Sequence, residues 1–99
     1  MQLAQIIQFL EQKFPPDHQE SYDNVGLIYG RPTQEITGAL VCLDSTEAIV
    51  DEAIETGCNL IIAHHPIVFK GLKKLNGKTY IERVVERCIQ HQIAIYAIH

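Results

Sequence analysis

The chain has 99 residues, enough for one domain with a modest core, and this length excludes a second independent domain. Its 46% hydrophobic and 20% charged residues are typical of a globular protein and exclude a low-complexity array. The formal charge of −4 does not favour nucleic acid as a partner, and with no secretory signal or membrane-spanning run we predict a soluble, cytoplasmic protein.

The first part of the chain predicts one helix and two strands. Apolar residues recur at helical spacing before Pro15, which predicts an N-terminal amphipathic helix with its apolar stripe in the core. Residues 25–29 suit a strand, and the turn signal at Gly30 and Pro32 ends it. Residues 39–43 form a second apolar run that is typical of a strand.

The second part predicts alternating helices and strands. Residues 44–56 have one apolar face and a glycine cap, which indicates a helix, and the strand at 59–63 follows. A capping box of Thr79 and Glu82 begins another helix, and residues 93–98 form the last strand. This order predicts an α/β fold: a predominantly parallel sheet of βαβ units with helices packed on its faces. We also expect the last strand to present an unpaired sheet edge.

Chemically useful side chains follow three of these strands. If the three strands are parallel, Asp44, His64, His65 and His99 meet at the carboxyl edge, where open α/β sheets bind ligands. Imidazole commonly binds zinc, iron and similar ions. Neighbours in a regular strand point to opposite faces, but at a strand end the adjacent histidines could reach two closely spaced ions.

Each of these residues also has a simpler structural interpretation. The histidine pair could be a polar strand terminus, with one ring bonded to the backbone and the other in solvent. Asp44, three residues before Glu47, has the pattern of a helix N-cap. His99 could belong to a frayed end, and Asp23 and Asn24 could form an Asx turn.

Two further features of the sequence are interpreted as structural rather than functional. The stretch from Gly71 to Thr79 ends in Gly-Lys-Thr like a phosphate-binding P-loop, but it has five residues between its glycines where that motif needs four. We therefore interpret it as a flexible basic loop. The three cysteines are widely spaced among apolar neighbours, which predicts reduced, buried thiols without a functional role.

Four segments, in order, resemble one known family, the Ngg-interacting-factor-three family, also called GTP cyclohydrolase I type 2-like. The resemblance covers nearly the whole chain and is most specific around the paired histidines. The segments are Tyr22-Asp23-Asn24-Val25-Gly26-Leu27, Leu43-Asp44-Ser45-Thr46, residues 60–71 and Ile95-Tyr96-Ala97-Ile98-His99.

This resemblance implies an α/β fold that assembles into a ring-shaped hexamer around dinuclear metal centres. It implies two divalent ions such as zinc, iron or manganese, with His64 and His65 among their ligands. In the family, a Thr-Asn-x-Asp motif follows the position of His99, and a distant His-x-x-x-Glu supplies further ligands. Neither motif is present, so residues 1–99 are expected to be a single α/β domain at the N-terminus of a longer, two-lobed protein. By itself the chain should bind metal weakly and singly, if it binds metal at all, because a catalytic ion takes about three protein ligands.

The functional hypothesis is a metal-dependent hydrolase-like protein that acts on a nucleotide-like or phosphorylated small molecule. His99, Asp44, Asp23 and Asn24 would then lie beside the metal ligands or face the substrate. The alternative is an oligomeric interaction or regulatory scaffold that metal stabilises and that has no catalytic activity.

Overall fold

The computed structural model describes residues 1–15, 26–67 and 74–98. Asp23, Asn24, His99 and two lysines of the basic loop therefore lie outside the described residues. Within these ranges the predicted helices and strands are confirmed, in the predicted order: α1 (Leu3–Lys13), β1 (Gly26–Tyr29), β2 (Ala39–Cys42), α2 (Glu47–Thr56), β3 (Leu60–Ala63), α3 (Tyr80–Gln90) and β4 (Ala94–Ala97).

The four strands form one mixed sheet in the order β1-β4-β3-β2. As predicted, β2, β3 and β4 are parallel, whereas β1 pairs with β4 in the antiparallel direction. The expectation that the last strand presents an unpaired edge is wrong, because β1 pairs with β4 on the side away from β3. The edge strand on the parallel side is β2. Val41 in this strand is 71% exposed, and Leu43, directly after the strand, is 66% exposed.

Helices cover both faces of the sheet. On one face α2 and α3 pack against the larger core cluster, whose buried members are Val50, Ala53, Ile61, Ile67, Val84, Cys88, Ile93 and Ile95. On the other face α1 packs against a smaller cluster of Leu3, Leu10, Leu60, Ala94 and Tyr96. Because α1 is a single helix, it leaves the outer face of β2 uncovered among the described residues.

Local hydrogen bonds set the ends of the helices. Thr46, rather than Asp44, is the N-cap of α2, since its hydroxyl accepts the Ile49 amide at 3.2 Å, and this corrects the N-cap interpretation of Asp44. At the other end Gly57 adopts the left-handed conformation (φ +74°) that caps the helix, as predicted. The capping box of Thr79 and Glu82 at the start of α3 is also confirmed.

Two ion pairs join the helices that cover the larger cluster. Arg83 Nε donates to Glu47 Oε1 at 2.7 Å, and Arg87 pairs with Asp51 one helical turn away. These contacts hold the N-terminal half of α2 against α3, and the β2–α2 connection that carries Asp44 precedes this half of the helix. Among the described residues, no helix has the length and apolar character needed to cross a bilayer.

Candidate functional site

The histidine pair lies where β3 leaves the sheet, next to the end of β2. Cys42 is in register with Ala63, and the backbone pairing continues one step beyond each strand. The His64 amide donates to Cys42 O at 3.0 Å, and the His65 amide donates to Leu43 O at 2.8 Å. Both histidines are therefore held by their backbones against the connection between β2 and α2, at the carboxyl edge of the parallel strands.

The two imidazole rings lie beside each other. Their centroids are 4.9 Å apart and their planes are tilted by 56°. In a regular strand adjacent side chains would point to opposite faces, so this proximity shows that the strand geometry ends at Ala63. Both side chains are exposed and accessible from solvent. The end of β3 therefore brings both rings to one place, and the expectation that they reach two ions stays a prediction.

Asp44 belongs to the same cluster because its carboxylate contacts the His65 ring. Asp44 Oδ1 lies 2.9 Å from His65 Nδ1, and the two side chains are 63% and 49% exposed, respectively. The carboxylate is available for this contact because Thr46 caps α2 in its place. The carboxyl ends of β2 and β3 therefore bring together three of the residues that the sequence singled out.

These three side chains make up an incomplete set of metal donors. Among the described residues, no group of three or more His, Cys, Asp or Glu side chains is arranged to hold a metal ion. Two adjacent imidazoles suit a borderline metal such as zinc, but an ion typically needs about three protein ligands. His99, Asp23 and Asn24 were also expected near this edge, and they lie outside the described residues.

Ser45 is a polar residue at this edge that the sequence analysis did not identify. It is 3% exposed, and its hydroxyl has no hydrogen-bond partner among the described residues. Buried hydroxyls normally have a hydrogen-bond partner. Because Ser45 directly follows Asp44, its hydroxyl is a further polar group next to the cluster. Its burial is a property of the folded chain, and no local sequence pattern could have indicated it.

Two of the cysteines, Cys42 and Cys88, are not activated as nucleophiles. Burial raises the pKa of Cys88 to about 12, and burial followed by the nearby Asp44 and Glu52 carboxylates also raises the pKa of Cys42. The reactive form of cysteine is the thiolate, which a raised pKa disfavours. All three cysteines are free thiols, as expected, but only Cys88 is buried, whereas Cys42 and Cys58 are partly exposed.

The loop that resembles a P-loop uses its amides for an internal contact. The amides of Asn76 and Thr79 donate to the Glu82 carboxylate at 3.1 Å and 3.2 Å, and the Thr79 hydroxyl donates to it at 2.9 Å. In a P-loop, a phosphate accepts from amides at this position. Because the protein's own carboxylate takes these donors, the geometry does not favour nucleotide binding at this helix end.

This arrangement predicts a pH-dependent contribution to stability from Glu82. Its hydrogen bonds, above all the one from the Asn76 amide, lower the pKa of Glu82. A carboxyl group with a lower pKa in the folded state stabilises the fold above its unfolded pKa, and this stabilisation is lost as the pH falls through the folded pKa. Glu82→Gln should therefore lower the free energy of unfolding at neutral pH and have less effect in acid.

Urea denaturation followed by circular dichroism, at neutral pH and at about pH 3, measures this difference. Glu86→Gln, at an exposed position on the same helix, is the matched control and should change little at either pH. An equal loss of stability from Glu82→Gln at both pH values would show that the ionised carboxylate is not responsible.

A separate cleft of about 450 Å³ lies at the opposite edge of the sheet. Its lining comes from the end of β1, the loop that follows it and the C-terminal end of α3: Tyr29, Gly30, Arg31, Thr33, Gln34, Ile89 and Gln92. Tyr29 is in register with Ile95 near the start of β4, which places this cleft at the amino end of the parallel strands. None of the residues of the histidine cluster lines this cleft.

Comparison with known proteins identifies relatives along the whole chain. A family model described as Duf34/NIF3 (NGG1p interacting factor 3) matches residues 1–99. A curated Staphylococcus aureus (strain COL) protein, named GTP cyclohydrolase 1 type 2 homolog, is 42% identical over 99 residues. That alignment covers 100% of this chain and 27% of the relative, so the chain spans only about a quarter of the relative's length.

Solved structures agree with the fold. The crystal structure of a Staphylococcus aureus protein superposes with a TM-score of 0.94 at 42% identity, covering 100% of this chain and 28% of that one. A Bacillus cereus protein related to NIF3 superposes with a TM-score of 0.91 at 38% identity, covering 100% of this chain and 27% of that one. Both likenesses extend over every element described above.

Proposed function

Since the chain belongs to the Duf34/NIF3 family, we propose that it forms the N-terminal portion of a two-lobed, metal-dependent hydrolase-like protein. The substrate class we propose is a nucleotide-like or phosphorylated small molecule. The observation that carries the proposal is the pair of exposed imidazoles 4.9 Å apart at the carboxyl edge of the parallel strands. The name of the Staphylococcus aureus relative, GTP cyclohydrolase 1 type 2 homolog, supports the nucleotide-like class.

In this proposal His64 and His65 each hold one of two divalent ions, such as zinc, iron or manganese. When bound, the ions would supply an activated water and stabilise the charge that develops on the substrate. The remaining donors would come from outside the described residues, because these contain no complete donor set. His99, Asp44, Asp23 and Asn24 would lie beside the ligands or face the substrate.

Lysines near the start of α3 could attract an anionic substrate. Lys74 and Lys78 are exposed, and Lys70 and Lys73 belong to the same stretch of sequence but lie outside the described residues. Against a net charge of −4, this is the chain's local cluster of positive charge. A cationic surface increases the association rate of anions, with an effect that falls as salt is added.

A second candidate function is a metal-stabilised, oligomeric interaction scaffold without catalysis. The observation that favours it is the apolar surface at β2, where Val41 in the strand and Leu43 directly after it are 71% and 66% exposed. The description of the family, NGG1p interacting factor 3, also refers to a protein interaction. Under either function we propose a cytoplasmic homohexamer.

Removal of metal from the full-length protein distinguishes the two functions. For a hydrolase, chelation should abolish turnover of a nucleotide substrate while light scattering still shows the intact oligomer, and metal should restore turnover. For a scaffold, chelation should dissociate the oligomer, and no turnover should be found before or after it. Turnover that persists in the stripped protein would contradict a metal-dependent hydrolase.

A further inference from the structure

We propose that Asp44 is a positioning residue that fixes the tautomer and orientation of His65, so that Nε2 carries the lone pair offered to a ligand. The hydrogen bond between Asp44 Oδ1 and His65 Nδ1, 2.9 Å long, carries this inference. The inference rests on the proposed function only in taking the ligand that binds Nε2 to be a divalent metal ion.

The backbone places the two side chains together. The His65 amide donates to Leu43 O at 2.8 Å, directly before Asp44 in the chain. Thr46 provides the N-cap of α2, so the Asp44 carboxylate is not used by the helix. Among the described residues, the Asp44 carboxylate bonds to His65.

The chemistry of the contact determines the tautomer. A neutral imidazole has one nitrogen that donates and one that accepts, whereas an ionised carboxylate can only accept. Nδ1 of a neutral His65 must therefore carry the proton in this contact, and Nε2 must carry the lone pair. Metal-binding histidines commonly donate their second nitrogen to a carboxylate, which orients the ring and strengthens its lone pair as a donor.

Imidazole nitrogen NMR on the metal-free full-length protein tests the tautomer directly and requires no metal. Spectra are recorded above about pH 8, where an unperturbed imidazole is neutral. In the unsubstituted chain His65 should be protonated mainly at Nδ1, and Asp44→Ala should move the population towards protonation at Nε2. Asp44→Asn, whose amide oxygen can still accept, should largely retain the original tautomer.

Glu55→Ala is the matched control, because it removes an exposed carboxylate of α2 at a distance from the β2–β3 edge. It should leave the His65 tautomer unchanged. An unchanged tautomer in Asp44→Ala would overturn the inference, as would an equal change in Glu55→Ala.

Zn²⁺ affinity of the full-length protein provides the second measurement. Asp44→Ala should weaken Zn²⁺ binding by roughly 10- to 100-fold, and Asp44→Asn by less. If the tautomer shifts but the full-length protein binds no Zn²⁺ at all, the role of Asp44 stands and the proposed metal-dependent function fails. If Zn²⁺ binds as tightly to Asp44→Ala as to the unsubstituted protein, the positioning role is overturned.

Discussion

When the 99-residue chain is titrated with Zn²⁺, we expect at most one weakly bound ion, and no binding after combined replacement of His64 and His65 by alanine. The two imidazoles are 4.9 Å apart, and among the described residues no third donor completes a site with them. An ion with two protein ligands keeps most of its water, and a structural or catalytic zinc typically has three or four protein ligands.

Isothermal titration calorimetry measures both the stoichiometry and the affinity. His91→Ala is the matched control, because this exposed histidine lies at the C-terminal end of α3 and its loss should leave binding unchanged. Tight binding of two equivalents by the unsubstituted chain would show that the donor set is already complete. Unchanged binding by the double variant would show that the histidine pair does not hold the ion.

The same double replacement in the full-length protein should remove both ions. It should also abolish any turnover, since each histidine is proposed to hold one ion. Both side chains are exposed, so the replacements should not unfold the protein, and circular dichroism can confirm this. Retention of two ions would exclude these histidines as ligands and would leave the family membership unaffected.

The second large effect is a loss of stability, expected from a substitution in the core at β3. Ile61 is fully buried in the cluster formed by the sheet with α2 and α3. Ile61→Ala should lower the free energy of unfolding by about 2–5 kcal/mol, because it removes buried methyl groups and leaves a cavity. A domain of this size has a total stability of roughly 5–15 kcal/mol, so this loss is a large share of it.

Ile62→Ala is the matched control on the adjacent residue. Ile62 points to the opposite face, where it is only partly buried against the α1 cluster, so its replacement should cost less. Urea denaturation gives both values. If Ile61→Ala does not fold, the smaller change Ile61→Val should still cost about 0.5–1.5 kcal/mol. A greater loss from Ile62→Ala than from Ile61→Ala would contradict the assigned faces of β3.

Helices, strands and their order could be predicted because their signals are local. The apolar spacing of α1, the glycine cap of α2 and the capping box of α3 depend on residues within a few positions of one another. The start of α2 was misplaced by two or three residues, because Asp44 and Thr46 are both good N-cap residues. Only the backbone conformation distinguishes the two.

Strand pairing could not be predicted in the same way. The antiparallel pairing of β1 with β4, and hence the central position of β4, depends on contacts between residues about 70 positions apart, such as Gly26 and Ala97. The sequence pattern shows that these segments are apolar, but it does not show which strand pairs with which. The exposed edge was consequently expected at β4 and is found at β2.

For the candidate site, the sequence was sufficient to identify His64, His65 and Asp44 and to place them at the carboxyl edge of the parallel strands. This follows from residue type and from the alternation of strands and helices, both of which can be read along the chain. That the two rings lie together, that Asp44 bonds to His65 rather than capping α2, and that the Ser45 hydroxyl is buried depend on the folded chain. The physical reason is that a side chain's direction at a strand end, and its burial, result from the packing of β2, β3 and α2 together, which no single segment contains.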